Sequence, residues 1–202
     1  MRRLLLSAIA VALLAAPAAA NPAFPNVTDT SYAEPDGSQV IRQSIRVKAP
    51  AERVWTAIST AEGWRGWAVP AAWVDFRIGG VIETSYDPAA TRGRAGNIRN
   101  EIVTYVPGRL LAIRTIQAPP GFEHAEEFGR TTTLLELKSL DADTTEVTLT
   151  GVGFRPEPAF KALFEKFRQG DAWTLESLKK SLEGTPPDWA RAEAGSRLGK
   201  PK

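Results

Sequence analysis

PEPAFKALFEKFRQGDAWTLESLKKSLEG, residues 156–184, decides how the rest of the chain is read. Phe160, Leu163, Phe164 and Phe167 recur at three- and four-residue intervals, and Trp173 or Thr174, then Leu175, Leu178 and Leu182, continue an apolar face. That spacing lines one side of an α-helix, because 3.6 residues complete a turn. Gly170 interrupts the stripe and predicts a kink or a break between two helical segments. An amphipathic helix of this length must cover another layer of structure, and the preceding residues supply one.

QVIRQSIRVKA, residues 39–49, alternates, with Ile41, Ile45 and Val47 on one side, and reads as a first strand. Pro50 opens a short helix to about Ser59, where Val54, Trp55 and Ile58 recur at helical spacing. Proline costs nothing at a helix's first turn, since that N–H has no intrahelical partner. Trp55 falls on the apolar face and is expected in the core. Then come AAWVDFRIGG and VIETSYD, joined at Gly79-Gly80, with a strand expected from about Trp73 to Ile78. GNIRNEIVTYV and LLAIRTIQA pair around Pro107-Gly108, and residues 131–154 form a third hairpin turning at Asp141 to Asp143. Leu135 and Leu137 oppose Glu136 and Lys138, the pattern of an antiparallel sheet covered on one side only. The order is strand, helix, about six antiparallel strands and a long helix, an α+β architecture.

The element order, the helix beginning PAERVWTAIS, the tryptophan-containing linker before FRIGG (Phe76 to Gly80), GNIRNEI with Pro107 and Leu110 after it, and the late GDAWTLESLKKSLEG carry a resemblance. Residues 41–183 resemble the helix-grip superfamily (SRPBCC, or START-like), in the branch similar to the activator of the heat-shock-90 ATPase. The resemblance implies a curved antiparallel sheet of six to seven strands wrapped around a long C-terminal helix. Between them it implies a cavity that takes an apolar small molecule or lipid. Members range from carriers to polyketide cyclases and cochaperones, so the fold does not fix the activity.

MRRLLLSAIAVALLAAPAAA, residues 1–20, has a basic start, an apolar run and small residues at its end. This is the pattern of a secretory signal peptide cleaved near Ala20, too short in its apolar run to span a bilayer. The protein is therefore expected to be secreted or periplasmic, which argues against a role beside an intracellular chaperone. Of 25 basic and 23 acidic residues, loss of Arg2 and Arg3 leaves 23 of each. A neutral balance argues against nucleic acid. There is no cysteine, so disulfides, thiolate metal sites and thiol nucleophiles are excluded. Residues 21–38 read as a loosely ordered arm, 39–184 as the helix-grip domain and 185–202 as a flexible tail to which Trp189 adds a docking point. Asn26-Val27-Thr28 is a glycosylation sequon if the host glycosylates.

Three tryptophans, Trp64, Trp67 and Trp73, fall within ten residues of the non-periodic linker and strand after the first helix. With one nearby arginine they make a poor stacking platform for bases. Core packing and pocket wall both suit them, and pocket wall is the expectation, since small-molecule sites are aromatic with a few polar groups. Phe76, Phe160, Phe164, Phe167 and Trp173 extend the candidate lining. Arg99, Glu101 and Arg114, in adjacent strands, are either a buried polar cluster for a ligand or cross-strand pairs on the wet face, and Ile98 and Ile102 on the alternate face favour the second. His124 is the only histidine and the only general-base candidate, set against an exposed loop among Glu123, Glu126 and Glu127. No second histidine exists to complete a metal site with it, and nothing calls for a cofactor. The leading expectation is a non-catalytic carrier of a hydrophobic small molecule. The alternatives are a cyclase- or hydrolase-like enzyme in the same cavity and an envelope interaction module using the Trp64–Trp73 segment.

Overall fold

A computed structural model describes residues 19–21 and 23–189. The signal-peptide reading of residues 1–20 falls, apart from its last two positions, outside the described residues, as does the tail beyond Trp189. Ten strands and four helices follow in chain order. β1 (Ala19–Asn21), β2 (Phe24–Asp29) and β3 (Tyr32–Ala33) precede β4 (Gln39–Val47), α1 (Ala51–Ser59) and α2 (Ala61–Trp67). β5 (Ala71–Val74), β6 (Val81–Ser85), β7 (Ile98–Val106) and β8 (Leu110–Gln117) come next. After a short α3 (Ala125–Phe128), β9 (Thr132–Ser139) and β10 (Thr145–Phe154) lead into α4 (Pro158–Leu182).

All strands join one antiparallel sheet in the order β1-β2-β4-β10-β9-β8-β7-β6-β5, with β3 also on β4. The expected core alternation holds: Ile41, Gln43, Ile45 and Val47 turn inward from β4, and Leu135 and Leu137 from β9. α4 lies across the inner face, against β4, β10 and β2. The helix-grip architecture is thus present, seven strands of it from β4 to β10.

Two of the three remaining strands, β2 and β3, correct the reading of residues 21–38 as a loose arm. β2 pairs with β4 through Thr28↔Ser44 and Asp29↔Gln43, and Val27 and Asp29 are buried. Its polar residues are satisfied from far along the chain. Arg168 of α4 donates from Nε to Asp29 Oδ2 at 2.7 Å, Gln43 Nε2 donates to Asp29 and to the Arg168 carbonyl, and Asn26 Nδ2 donates to Glu176 Oε1 at 2.9 Å. Composition alone gives no hint of such partners.

Three further corrections are local. Gly170 does not break α4, which runs as one helix from Pro158 to Leu182, and an added methyl there would meet open space. β5 stops at Val74, because Asp75 to Gly80 curls into a turn with Gly80 N–H donating to Arg77 O. Trp55 is half-buried rather than core, its ring edge-on to Phe76 at 5.7 Å.

Candidate functional site

The Trp-rich linker is a helix. Thr60 closes its first turn by accepting from Gly63 N–H, and this N-cap makes α2 follow α1 after a single extended residue. The two helices meet very closely: a Cβ on Gly63 would stand 2.4 Å from the Thr56 carbonyl oxygen and 2.6 Å from that of Ala57. Only glycine permits that approach. At this spacing both indoles of α2 reach the end of α1. Trp64 Nε1 donates to Ile58 O at 2.8 Å and Trp67 Nε1 to Ala57 O at 2.9 Å. These carbonyls belong to a helix's last turn and lack intrahelical donors. The two rings, 5.1 Å apart between centroids, are thereby held at the end of α1.

They form one wall of a cavity of about 410 Å³ between sheet and α4. Thr84 of β6, Ile98 and Asn100 of β7, Ile113 and Thr115 of β8 supply the sheet side. Thr133 and Leu135 of β9 and Leu149 of β10 complete it. The roof is the middle of α4, with Phe167, Asp171, Trp173 and Thr174. Phe122 and Phe128, around α3, close the third side, Phe128 stacked on Phe167 at 4.3 Å. Trp64 and Trp67 are buried at the floor, whereas Tyr86 and Trp173 are 62% and 43% exposed and mark the mouth. Polar groups are few: the Thr115 hydroxyl donates to Asn100 Oδ1 at 2.7 Å.

Asp171 is the one charged side chain in this lining. It has no hydrogen-bond or ion-pair partner among the described residues. Burial pushes its carboxyl up to about 7, because the ionised form loses water and gains no donor. The residue is only part-exposed and belongs to the cavity lining.

Of the sequence-predicted residues, the structure brings Trp64, Trp67, Phe167 and Trp173 together at the cavity and leaves the others elsewhere. Strand parity explains four of these. Thr84 and Asn100 face the cavity, so their neighbours Glu83, Arg99 and Glu101 face the other way. Trp73 pairs with Glu83, Glu83 with Arg99, and Glu101 with Arg114, on that outer face. Arg114 holds Glu101 at 2.6 Å, an ordinary cross-strand ion pair. Glu83 is buried beneath the residue 87–97 loop, where Asn97 Nδ2 and Gly93 N–H donate to it. Phe76 packs between Trp55 and Tyr105, a second aromatic cluster outside the lining. Phe160 and Phe164 lie on the α4 stripe before the cavity begins, Phe164 edge-on to Phe154.

His124 is also set aside as the acid–base candidate. It is exposed, outside the lining, in a left-handed conformation (φ 59°) just before α3. Among the described residues no three potential ligands converge on a metal position, and no helix is long and apolar enough to cross a membrane. Asp171 carried a readable signal. It stands four residues after Phe167 and four before Leu175, a position where the stripe calls for an apolar side chain.

The family model described as polyketide cyclase/dehydrase and lipid transport matches residues 38–183. Among solved structures, the Aha1 dimer from Colwellia psychrerythraea is similar, at 20% identity and a TM-score of 0.56 over 72% of this chain and 97% of that one. CalU16 from Micromonospora echinospora is 19% identical with a TM-score of 0.53, covering 83% and 89%. A conserved protein of unknown function from Enterococcus faecalis is 12% identical with a TM-score of 0.56, covering 85% and 92%. At these identities the likeness is one of fold. No curated protein matches the chain.

Proposed function

The chain belongs to the polyketide cyclase/dehydrase and lipid-transport family, and from that premise we propose that it is an exported binding protein for an apolar or amphipathic small molecule. The observation that carries this reading is the cavity itself, about 410 Å³ of mostly aromatic and aliphatic lining under α4. That volume lies in the range of small-molecule sites. The indoles of Trp64 and Trp67 are held by backbone carbonyls before any ligand arrives, so their position need not be ordered on binding. Export rests on the N-terminal pattern of residues 1–20 alone.

Titration with the neutral apolar fluorophore N-phenyl-1-naphthylamine tests the reading, together with native mass spectrometry of protein taken from its own host. Saturable one-to-one binding that Leu149→Trp abolishes by filling the floor supports it. No saturable binding in a folded wild-type protein, and no co-purifying small molecule, would sink it.

A second reading is favoured by one specific feature. A carboxyl poised near neutrality in an apolar chamber is suited to move a proton, as cyclisation and dehydration chemistry require. Turnover of a polyketide-type substrate, lost in Asp171→Asn with binding retained, would favour catalysis over carriage. The interaction-module reading has no support, since Trp64 and Trp67 are 9% and 2% exposed and present little to a client.

A further inference from the structure

We propose that the cavity selects organic cations, small molecules whose apolar body fills the aromatic chamber while an ammonium group pairs with the Asp171 carboxylate. The inference deepens the binding reading and rests on it. Asp171 is the only charged residue of the lining, and no arginine, lysine or histidine shares the chamber with it. It sits over the middle of the cavity, one helical turn from Phe167 on one side and from Thr174 on the other.

Trp64, Trp67, Tyr86, Phe122, Phe128 and Trp173 surround the same space. Aromatic faces attract cations through their quadrupole, and most strongly where water is excluded. One ring of this set already does so: Lys166 places its ammonium 4.2 Å from the centroid of Phe122. An ionised, unpartnered carboxylate in such surroundings is costly, and a ligand ammonium removes that cost. A neutral ligand does not, and an anionic one makes it worse.

The charged groups on the packed elements are engaged or turned away. On α4, Arg168 is held by Asp29 and Glu176 by Asn26. On α2, Arg65 donates to Ala72 O, and Glu62 lies outside the lining. Glu83 and Arg99, on β6 and β7, pair with each other on the outer face, as Glu101 and Arg114 do on β7 and β8. Glu136 of β9 faces Arg42, and Glu146 of β10 faces Arg46. Glu123 and His124 before α3 are exposed, Glu126 of α3 pairs with Arg130, and Glu127 lies outside the lining. Tyr86 is the one other titratable group of the lining.

The test uses three ligands with one body, (2-naphthylmethyl)trimethylammonium, 2-naphthalenemethanol and 2-naphthylacetate, displacing N-phenyl-1-naphthylamine. The quaternary ammonium does not titrate, so any pH dependence comes from the protein. Its affinity is expected to exceed that of the alcohol by roughly tenfold at pH 8. The preference should shrink about tenfold on going to pH 5.5, as Asp171 takes up its proton. Asp171→Asn should bring the cation-to-alcohol ratio to about one, while Asp171→Glu keeps the preference. Equal affinities in the wild type, or a ratio untouched by Asp171→Asn, would overturn the proposal. So would an alcohol whose affinity is the higher and falls with rising pH, which would make Asp171 a neutral donor. Failure of the naphthylamine itself to bind would instead remove the binding reading and this one with it.

Discussion

Two aspartates, Asp29 packed against α4 and Asp171 on it, meet opposite fates. Asp29 arrives from β2 and is buried, which by itself would push its carboxyl up. Hydrogen bonds from the Ser31 side chain and backbone, Arg168 and Gln43 outweigh that burial and hold it below the ordinary value. Asp171 lies one turn along α4 from Arg168, finds no donor, and is driven up to about 7. Desolvation acts on both, Asp29 buried and Asp171 part-exposed, so desolvation alone does not decide what a carboxylate becomes. Partners do, and here one acid is a structural clamp and the other an unanswered charge facing a cavity.

The largest expected effect comes from breaking the clamp. Asp29→Ala leaves the Arg168 guanidinium and Gln43 without their acceptor and should cost about 3 kcal/mol in urea unfolding at pH 7. Arg168 is partly exposed, which keeps the cost at the lower end of buried pairs. The mirror-image change removes the unanswered charge. A group with a raised folded pKa holds a proton that the unfolded chain has released, so stability falls as pH climbs from about 4 through about 7. Asp171→Asn should therefore gain about 2 kcal/mol at pH 8 and nothing near pH 4, the figure discounted for water reaching the cavity. Asp29 titrates with the other sign: its contribution is present above the unfolded value and is lost as pH falls through the lowered one, so Asp29→Ala should flatten the acid limb of the stability profile. A gain for Asp171→Asn at pH 4 as large as at pH 8 would break the comparison.

Trp67→Phe extends it to a neutral group. One aromatic ring remains, but the indole's second ring and its N–H to the Ala57 carbonyl are lost, and about 1.5–2 kcal/mol of stability should go with them. The smallest effect is expected beside Asp171. Gly170 is helical, exposed and free of close neighbours, so Gly170→Ala should stabilise by about 0.5–1 kcal/mol in thermal unfolding without altering ligand affinity.

Much of the fold was legible because it is written in local periodicity. The 3.6-residue stripe of residues 158–182 and the two-residue alternation of β4, β9 and β10 each need only neighbouring residues to be read. The hairpins at Gly79-Gly80, Pro107-Gly108 and Asp141–Asp143 are equally local, and all three join antiparallel partners. The site was legible only in part. Aromatic content pointed at Trp64, Trp67, Phe167 and Trp173, and the same criterion added Trp73, Phe76, Phe160 and Phe164, which lie outside the cavity lining. A ring's identity says that it will be buried but not on which side of a sheet, or beneath which part of a helix.

What the sequence determined by itself is the set of elements and their faces, since backbone sterics and side-chain spacing act within a few residues. The tertiary structure alone decided which polar groups find partners. Asp29 meets Arg168 across 139 positions and Asn26 meets Glu176 across 150, turning an arm that reads as loose into a strand. Asp171, in a helix full of charged residues, meets none. Its chemistry follows from that difference, because the free energy of a buried charge is set by what surrounds it in space.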